Sequence, residues 1–352
     1  MTQPRTEAAP AATTEPDTGS ATKEFARRQT PAQRIQHLLH AHPAISPALI
    51  LVLTFAMFTL LNERFASPTT ISLLLQQTAV IACLAVGQTL IILTAGIDLS
   101  VGAIAIVSMM VMAKVSIDHG APGPLALLIG VATAVAAGGL NGFLVTKVKL
   151  PPFIVTLGSL SIFTAIALLY TGGQSVQQVD MAPLLSWTGE VIPLGAFPIT
   201  TGILLVGVVY LVVGFALGQT AWGRHVYAVG DDAEAARLAG ISVTRVLFSV
   251  YLAAGVIYGL AAWVLIGRAG AASPNGIVEA NLESITAVVI GGTSLFGGRG
   301  GVVGTLLGAV IVQSFAVGLF LAGVDDQWRL FAVGVLVILA VSVDQWIRRV
   351  RA

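Results

Sequence analysis

Charge is what this sequence has least of. Lys, Arg, Asp and Glu make up 10% of its 352 residues, while 56% are hydrophobic and the mean hydropathy is +0.89. A soluble domain carries about 25% charged residues. A chain this apolar has too few polar groups to cover itself in water, so its excess apolar surface must face lipid. The formal net charge of +1 gives no electrostatic reason to expect nucleic acid or an acidic ligand. A single cysteine, Cys83, excludes an intrachain disulfide and a Cys-based metal cluster, and reads as a small buried hydrophobe. Enzyme signals are missing too. The histidines at 37, 40, 42, 119 and 225 have no carboxylate or Cys partners in metal-ligand spacing, and the serines have no evident His. The Walker pattern GxxxxGK[ST] occurs nowhere, so the chain has no phosphate cradle of that kind.

What is present is a series of apolar runs. A bilayer span needs about 20 predominantly apolar residues. Ten runs qualify as candidates, near 45–61, 71–94, 100–117, 124–146, 153–171, 198–217, 246–267, 284–297, 301–322 and 328–346. The third and eighth are short or interrupted by polar residues, which predicts broken or re-entrant elements. The expected fold is an all-α polytopic membrane protein with ten or so transmembrane helices. Its 38 glycines suit close helix packing. Residues 1–43 are rich in Ala, Thr, Pro and Glu with a basic stretch at Arg27, Arg28 and Arg34, and read as a disordered cytoplasmic tail. Residues 44–347 form the membrane domain, and 348–352 a basic cytoplasmic end. No cleavable signal is expected, since the first apolar run begins near Ile45. With both termini cytoplasmic, 14 of the 18 Lys and Arg residues fall on the inside. The 172–197 loop has none and belongs outside.

Three polar segments interrupt the apolar pattern. In the first, Gly96-Ile97-Asp98-Leu99-Ser100-Val101-Gly102, a carboxylate adjoins two long apolar runs. That placement is relieved either by capping the next helix or by facing a polar pathway or partner. The second, Gly218 to Arg245, carries Asp231, Asp232, Glu234, Ala235, Ala236, Arg237 and Gly240. Asp231 or Asp232 is suited to an N-cap, and Gly240 to a C-cap, of a short cytoplasmic helix. The third, Gly291 to Gly301, includes Arg299 and predicts tight turns with close backbone approach. Its glycine spacing from Gly298 to Gly304 matches that from Gly96 to Gly102, a faint sign of two related halves. Along the spans Gln77, Gln88, Thr89, Asn141, Thr156, Ser159, Phe163 and Gln313 either line a hydrated path or join helices by hydrogen bonds.

Four blocks in order carry a resemblance to a known family: AGIDLSVGAI, TLGSLSIFTAIALLYTGG (156–173), GRHVYAVGDDAEAARLAGI (223–241) and AVVIGGTSLFGGRGGVVGTLLGA (287–309). Together these blocks resemble the ribose-type sugar permeases of ATP-binding-cassette importers, over about residues 45 to 346. The Glu234-Ala235-Ala236…Gly240 pattern is similar to that family's coupling motif, although the downstream Leu-Pro is missing. The resemblance implies alternating access driven by a separate cytoplasmic ATPase. That subunit would hold ATP and Mg²⁺, and this chain would bind no cofactor. It further implies an extracytoplasmic sugar-binding protein docking on 172–197, a second permease copy, and location in the cell's inner membrane. Sugar specificity would then reside mainly in the binding protein, which the scarcity of aromatics (7%) fits. Nucleosides, branched-chain amino acids or an ion-coupled secondary transporter are the competing readings.

Overall fold

The computed structural model describes residues 45–275 and 279–325, with isolated helical positions between 327 and 342. The 1–43 tail, the 348–352 end and about half of the 328–346 span (329, 336, 337, 340, 341 and 343–346) lie outside the described residues. The described helices are α1 (Ile45–Leu61), α2 (Pro68–Leu93), α3 (Val101–Asp118), α4 (Gly123–Thr146), α5 (Pro152–Thr171), α6 (Thr201–Gln219), α7 (Ala221–Asp231), α8 (Ala233–Leu238), α9 (Val243–Ala269), α10 (Ala280–Ile290) and α11 (Val302–Leu321). Seven of them, α2 to α6, α9 and α11, are long and apolar enough to cross a bilayer. Their starts and stops follow local chemistry. Ser67 caps α2 by accepting from the Thr70 amide, with Pro68 at its first position. Gly172 and Gly270, at φ 61° and 64°, end α5 and α9 in the left-handed conformation.

Two of the expected spans come out differently. The third, expected to be short or broken, is a continuous helix of 18 residues. The eighth, read as 284–297, is an 11-residue helix that starts earlier, at Ala280, and stops at Ile290. The run Gly291-Gly292 and the turn at Gly297-Gly298, with φ of 83° and 70°, do not continue the helix. The first span is a 17-residue helix, a little short of a full crossing. Seven long helices and two shorter apolar ones are thus described, where ten spans were expected.

The centre of the bundle is the α4–α9 pair, which has the most extensive contact of any two helices. Small residues permit it. A Cβ on Gly255 would lie 2.7 Å from the Ala134 carbonyl oxygen, and one on Gly259 would lie 2.9 Å from the Val131 Cα. Gly255 and Gly259 are four apart, so they share one face of α9 and let the backbones meet directly. Around this pair, α2, α3, α10 and α11 bury an apolar core that includes Cys83, fully buried as expected. By contrast α5 and α6 turn Ile154, Leu169, Leu211 and Phe215 outward, at 61%, 83%, 75% and 65% exposure. That outward face is the surface for lipid.

The bundle has two distinct ends. At one, strand β1 (Val176–Gln177) pairs with β4 (Ala271–Ala272), and β2 (Val191–Ile192) with β3 (Ile199–Thr200). This hairpin end is tied to the helices by Ala182 N–H donating to Ser116 Oγ at 2.8 Å and by Ser72 Oγ donating to the Pro198 carbonyl. The opposite end carries the α7–α8 arm. Lys147, Lys149, Arg224, Arg237, Arg245 and Arg299 lie toward the arm, while Arg64, Lys114 and Arg268 lie toward the hairpins. Leu at Gly255 should cost about 1–3 kcal/mol through overpacking, read as a lower unfolding temperature in detergent. Leu at Gly207, whose Cβ would meet nothing within 4 Å, should leave that temperature unchanged or raise it.

Candidate functional site

Helix α2 ends in a sharp bend. The Gly96 amide donates to the Ile91 carbonyl at 3.1 Å and the Ala95 amide to Ile92 at 2.9 Å, closing a Schellman turn. Its left-handed position is Ala95, at φ 60°, where glycine is usual. Residues 94–100 then run as non-helical chain until α3 begins at Val101. Most of this link is covered by protein, with Ala95 exposed near its start. Thr156 Oγ1 on α5 donates to the Ile97 carbonyl at 3.1 Å, and Tyr251 on α9 brings its hydroxyl 3.7 Å from where a Gly96 Cβ would stand. Non-helical backbone among spanning helices persists only when protein satisfies it in this way.

Asp98 is the centre of the link and has no exposed surface. Its Oδ1 accepts from the Ser100 amide at 2.7 Å and from Ser100 Oγ at 2.6 Å. This is an Asx turn placed just ahead of α3, whose N-cap position is occupied by Ser100 itself. The expectation that Asp98 would itself cap the helix is corrected accordingly. The network continues outward: Asn141 Nδ2 donates to Ser100 Oγ at 2.9 Å, and Ser159 Oγ donates to Asn141 Oδ1 at 2.5 Å. One chain of polar groups therefore joins the link to α4 and α5. From α9, the Tyr258 hydroxyl lies near the Asp98 carboxylate. Even so, neither Asp98 Oδ2 nor the Tyr258 hydroxyl completes a hydrogen bond of ordinary geometry among the described residues.

The first turn of α3 meets the first turn of α10. Asn281 Oδ1 accepts from the Gly102 amide at 2.6 Å, so α10 supplies a cap that α3 lacks in its own sequence. Two positive helix ends thus lie side by side, with Asp98 ahead of one and Glu279 and Glu283 at the start of the other. Glu283 is 7% exposed and accepts from Gln313 Nε2 of α11 at 3.1 Å.

At the arm end, Asp232 accepts from the amides of Glu234 and Ala235 at 2.9 and 3.0 Å and is the N-cap of α8. Gly240, at φ 86°, ends α8, with Ile241 N–H reaching back to the Ala236 carbonyl at 3.0 Å. Ala236 is buried, whereas Asp231, Glu234, Ala235 and Arg237 are exposed and Glu234 pairs with Arg237. The arm is fastened to the bundle backbone on backbone. A Cβ on Gly230 would stand 1.7 Å from the Leu93 carbonyl oxygen and 2.7 Å from the Gly298 nitrogen, and Gly298 N–H donates to that same carbonyl at 3.0 Å. Tyr227 adds a hydrogen bond from its hydroxyl to the Gly300 carbonyl at 2.9 Å. Burial pushes the Tyr227 phenol up, so it keeps the proton it donates. The segments Gly96–Gly102 and Gly298–Gly304, matched in glycine spacing, are thereby joined at their ends, with Gly297 against Ala95. Arg299 is exposed beside them.

The residues singled out in the sequence separate into groups. Asp98, Ser100, Asn141, Thr156 and Ser159 come together around the link, with Gly96 and Gly102 at its ends. Thr89 instead bridges α2 to α11 through Thr305 at 2.7 Å, Phe163 is buried in the core, Gln77 is half-buried and Gln88 is fully buried. Sequence reasoning missed Tyr251, Tyr258, Asn281 and Glu283. Glu283 is also buried, at 7% exposure; starting the eighth span at residue 284 hid it. Asp98→Ala would orphan the buried Ser100 amide at a cost of about 1–3 kcal/mol. Asp98→Asn keeps an acceptor oxygen and should be far closer to wild type. Thermal unfolding of the two variants in detergent checks this order.

The family model described as branched-chain amino acid transport system, permease component, matches residues 70–341. The chain is 46% identical to the fructose import permease protein of Rhizobium meliloti over 331 residues, covering 93% of this chain and 92% of the relative. It is 36% identical to the ribose import permease protein of Bacillus subtilis, covering 90% of this chain and 97% of the relative. It is 31% identical to the xylose transport system permease protein of Escherichia coli, covering 86% and 91%. No solved structure matches. With most of its length matched, and with its long apolar helices bracketing a covered, polar, non-helical link, the chain belongs to this family of multi-pass transport-system permease components.

Proposed function

We propose that this chain is the membrane permease of an ATP-driven importer of a monosaccharide, working with a separate cytoplasmic ATPase and an extracytoplasmic binding protein. The observation that carries the reading is the likeness, over nearly the full chain, to fructose, ribose and xylose permeases. In this reading Asp231, Asp232, Glu234, Ala235, Ala236, Arg237 and Gly240 form the coupling element that docks on the ATPase. Their chemistry suits the task. Helix α8 is locally rigid, capped at both ends, and presents an ion pair beside Leu238, which is 80% exposed. Arg299 lies next to the arm's attachment and adds a cation to the same surface.

The arm end is cytoplasmic in this proposal, because six of the nine basic residues between 45 and 325 lie toward it. The hairpin end, with the segment 172–200, then faces outward and receives the binding protein. The chain works in the inner membrane with both termini cytoplasmic, flanked by the 1–43 tail and the 348–352 basic end. A second copy completes the path. The substrate class follows from the relatives' names, and a hexose or pentose fits their range.

In proteoliposomes holding the chain with its ATPase, a sugar-loaded binding protein should stimulate ATP hydrolysis. Glu234→Arg should remove most of that stimulation while the complex still co-purifies, since it inverts the charge facing the ATPase and breaks the Arg237 pair. Full stimulation in an assembled Glu234→Arg complex would take the coupling role away from α8.

A further inference from the structure

Several buried polar atoms in the bundle lack an intramolecular hydrogen-bond partner among the described residues: Thr78 Oγ1, both amide atoms of Gln88, Asp98 Oδ2, and the hydroxyls of Tyr251 and Tyr258. Gln88 is 0% exposed and Tyr251 2%. Buried polar groups are ordinarily satisfied, and an orphaned one destabilises the fold that holds it. Apart from Thr78, ten residues before Gln88 on α2, they belong to the stretch of α2, link and α9 around Gly87 and Gly96. The Tyr258 ring packs on Gly87, where a Cβ would lie 2.4 Å from its Cε1, one residue before Gln88 on α2. Tyr251 lies one α9 heptad away, its hydroxyl 3.7 Å from where a Cβ on Gly96 would stand, two residues before Asp98. The group mixes donors and acceptors, carries a carboxylate and contains aromatic faces, which is the chemistry that recognises a polyhydroxylated solute.

We propose that Gln88, Asp98, Tyr251 and Tyr258 form an intramembrane contact site for solute hydroxyls, closed in this structure and uncovered when the α7–α8 arm moves. The inference rests on the importer reading and names where in the membrane the solute is handled. The route from arm to site is short. Gly230, Gly297 and Gly298 press backbone against backbone on Leu93 and Ala95, leaving no side chain to absorb a displacement. Ala95 and Gly96 lead directly into the link that holds Asp98. A shift of the arm therefore moves Asp98 relative to the two tyrosines on α9. Opened, the orphaned groups find partners on the solute.

The test is the sign of two effects measured together. Gln88→Leu and Tyr251→Phe remove only orphaned atoms and nearly preserve shape. In the complete complex with ATPase and binding protein, the quantity read for both variants is sugar delivered per ATP hydrolysed. Sugar delivered per ATP should fall about tenfold, the size of one lost polar contact. Thermal unfolding of the permease should be unchanged or shift upward, because a buried unsatisfied group has been removed. A lowered unfolding temperature in both variants would mean these atoms serve the fold, and an unchanged sugar-to-ATP ratio would mean they do not touch solute; either overturns the proposal. Failure of the importer reading itself looks different, since the wild-type complex would then show no ATP-coupled uptake at all.

Discussion

A chain that leaves helical form among membrane-spanning helices must have every freed amide and carbonyl met by protein. Residues 94–100 are that stretch here, and much of the structure is arranged to cover them. The Schellman turn closes the end of α2, Asp98 receives the Ser100 amide, Thr156 serves the Ile97 carbonyl, and Asn281 reaches across from α10 to the Gly102 amide. Helices α4, α5, α9 and α10 are each committed to one link. The glycine faces of α4 and α9 then have a clear use. Their close approach brings Tyr251 and Asn141 toward the same bend from opposite helices.

This arrangement explains how a largely apolar bundle supports a polar task. A carboxylate with no exposed surface is costly in such surroundings and persists only where hydrogen bonds and helix ends offset its burial. The α3 and α10 N-termini, placed side by side, supply that compensation. The other end of the link is gripped by the arm through Leu93, Ala95 and the 297–298 turn. The arm and the buried polar cluster are thus joined through one non-covalent backbone contact at Leu93 and Ala95, a few residues from Asp98. An ion-coupled transporter has less to explain the capped, exposed α8 helix, for which an ion gradient offers no role.

Much of this was legible in the sequence because the signals are local. Apolar runs of bilayer length gave α2, α4, α5, α6, α9 and α11 nearly in place, and the Asp232 cap and Gly240 terminus of α8 follow from residues within one turn. Asp98 was conspicuous as a lone acid. Its partners were not legible, because Asn141, Ser159, Tyr251 and Asn281 come from four other helices and nothing in their spacing points to residue 98. The eighth span misled for a physical reason: the apolar period runs on through Val288–Ile290 into Leu295–Phe296, but Gly292, at φ 83°, breaks the backbone between them. Capping was one of two placements open to Asp98; the helix starts at Val101, Ser100 takes the N-cap position, and the carboxylate holds the turn before it.

The most direct test of the account is the energy source for transport. Labelled fructose and ribose would be followed into proteoliposomes containing this chain alone, with its ATPase, and with ATPase plus loaded binding protein, each with ATP or with a proton or sodium gradient. The account predicts uptake only in the complete system and only with hydrolysable ATP. Uptake by the chain alone that follows an ion gradient would contradict it, and would make Asp98 and Glu283 candidates for carrying the coupled ion.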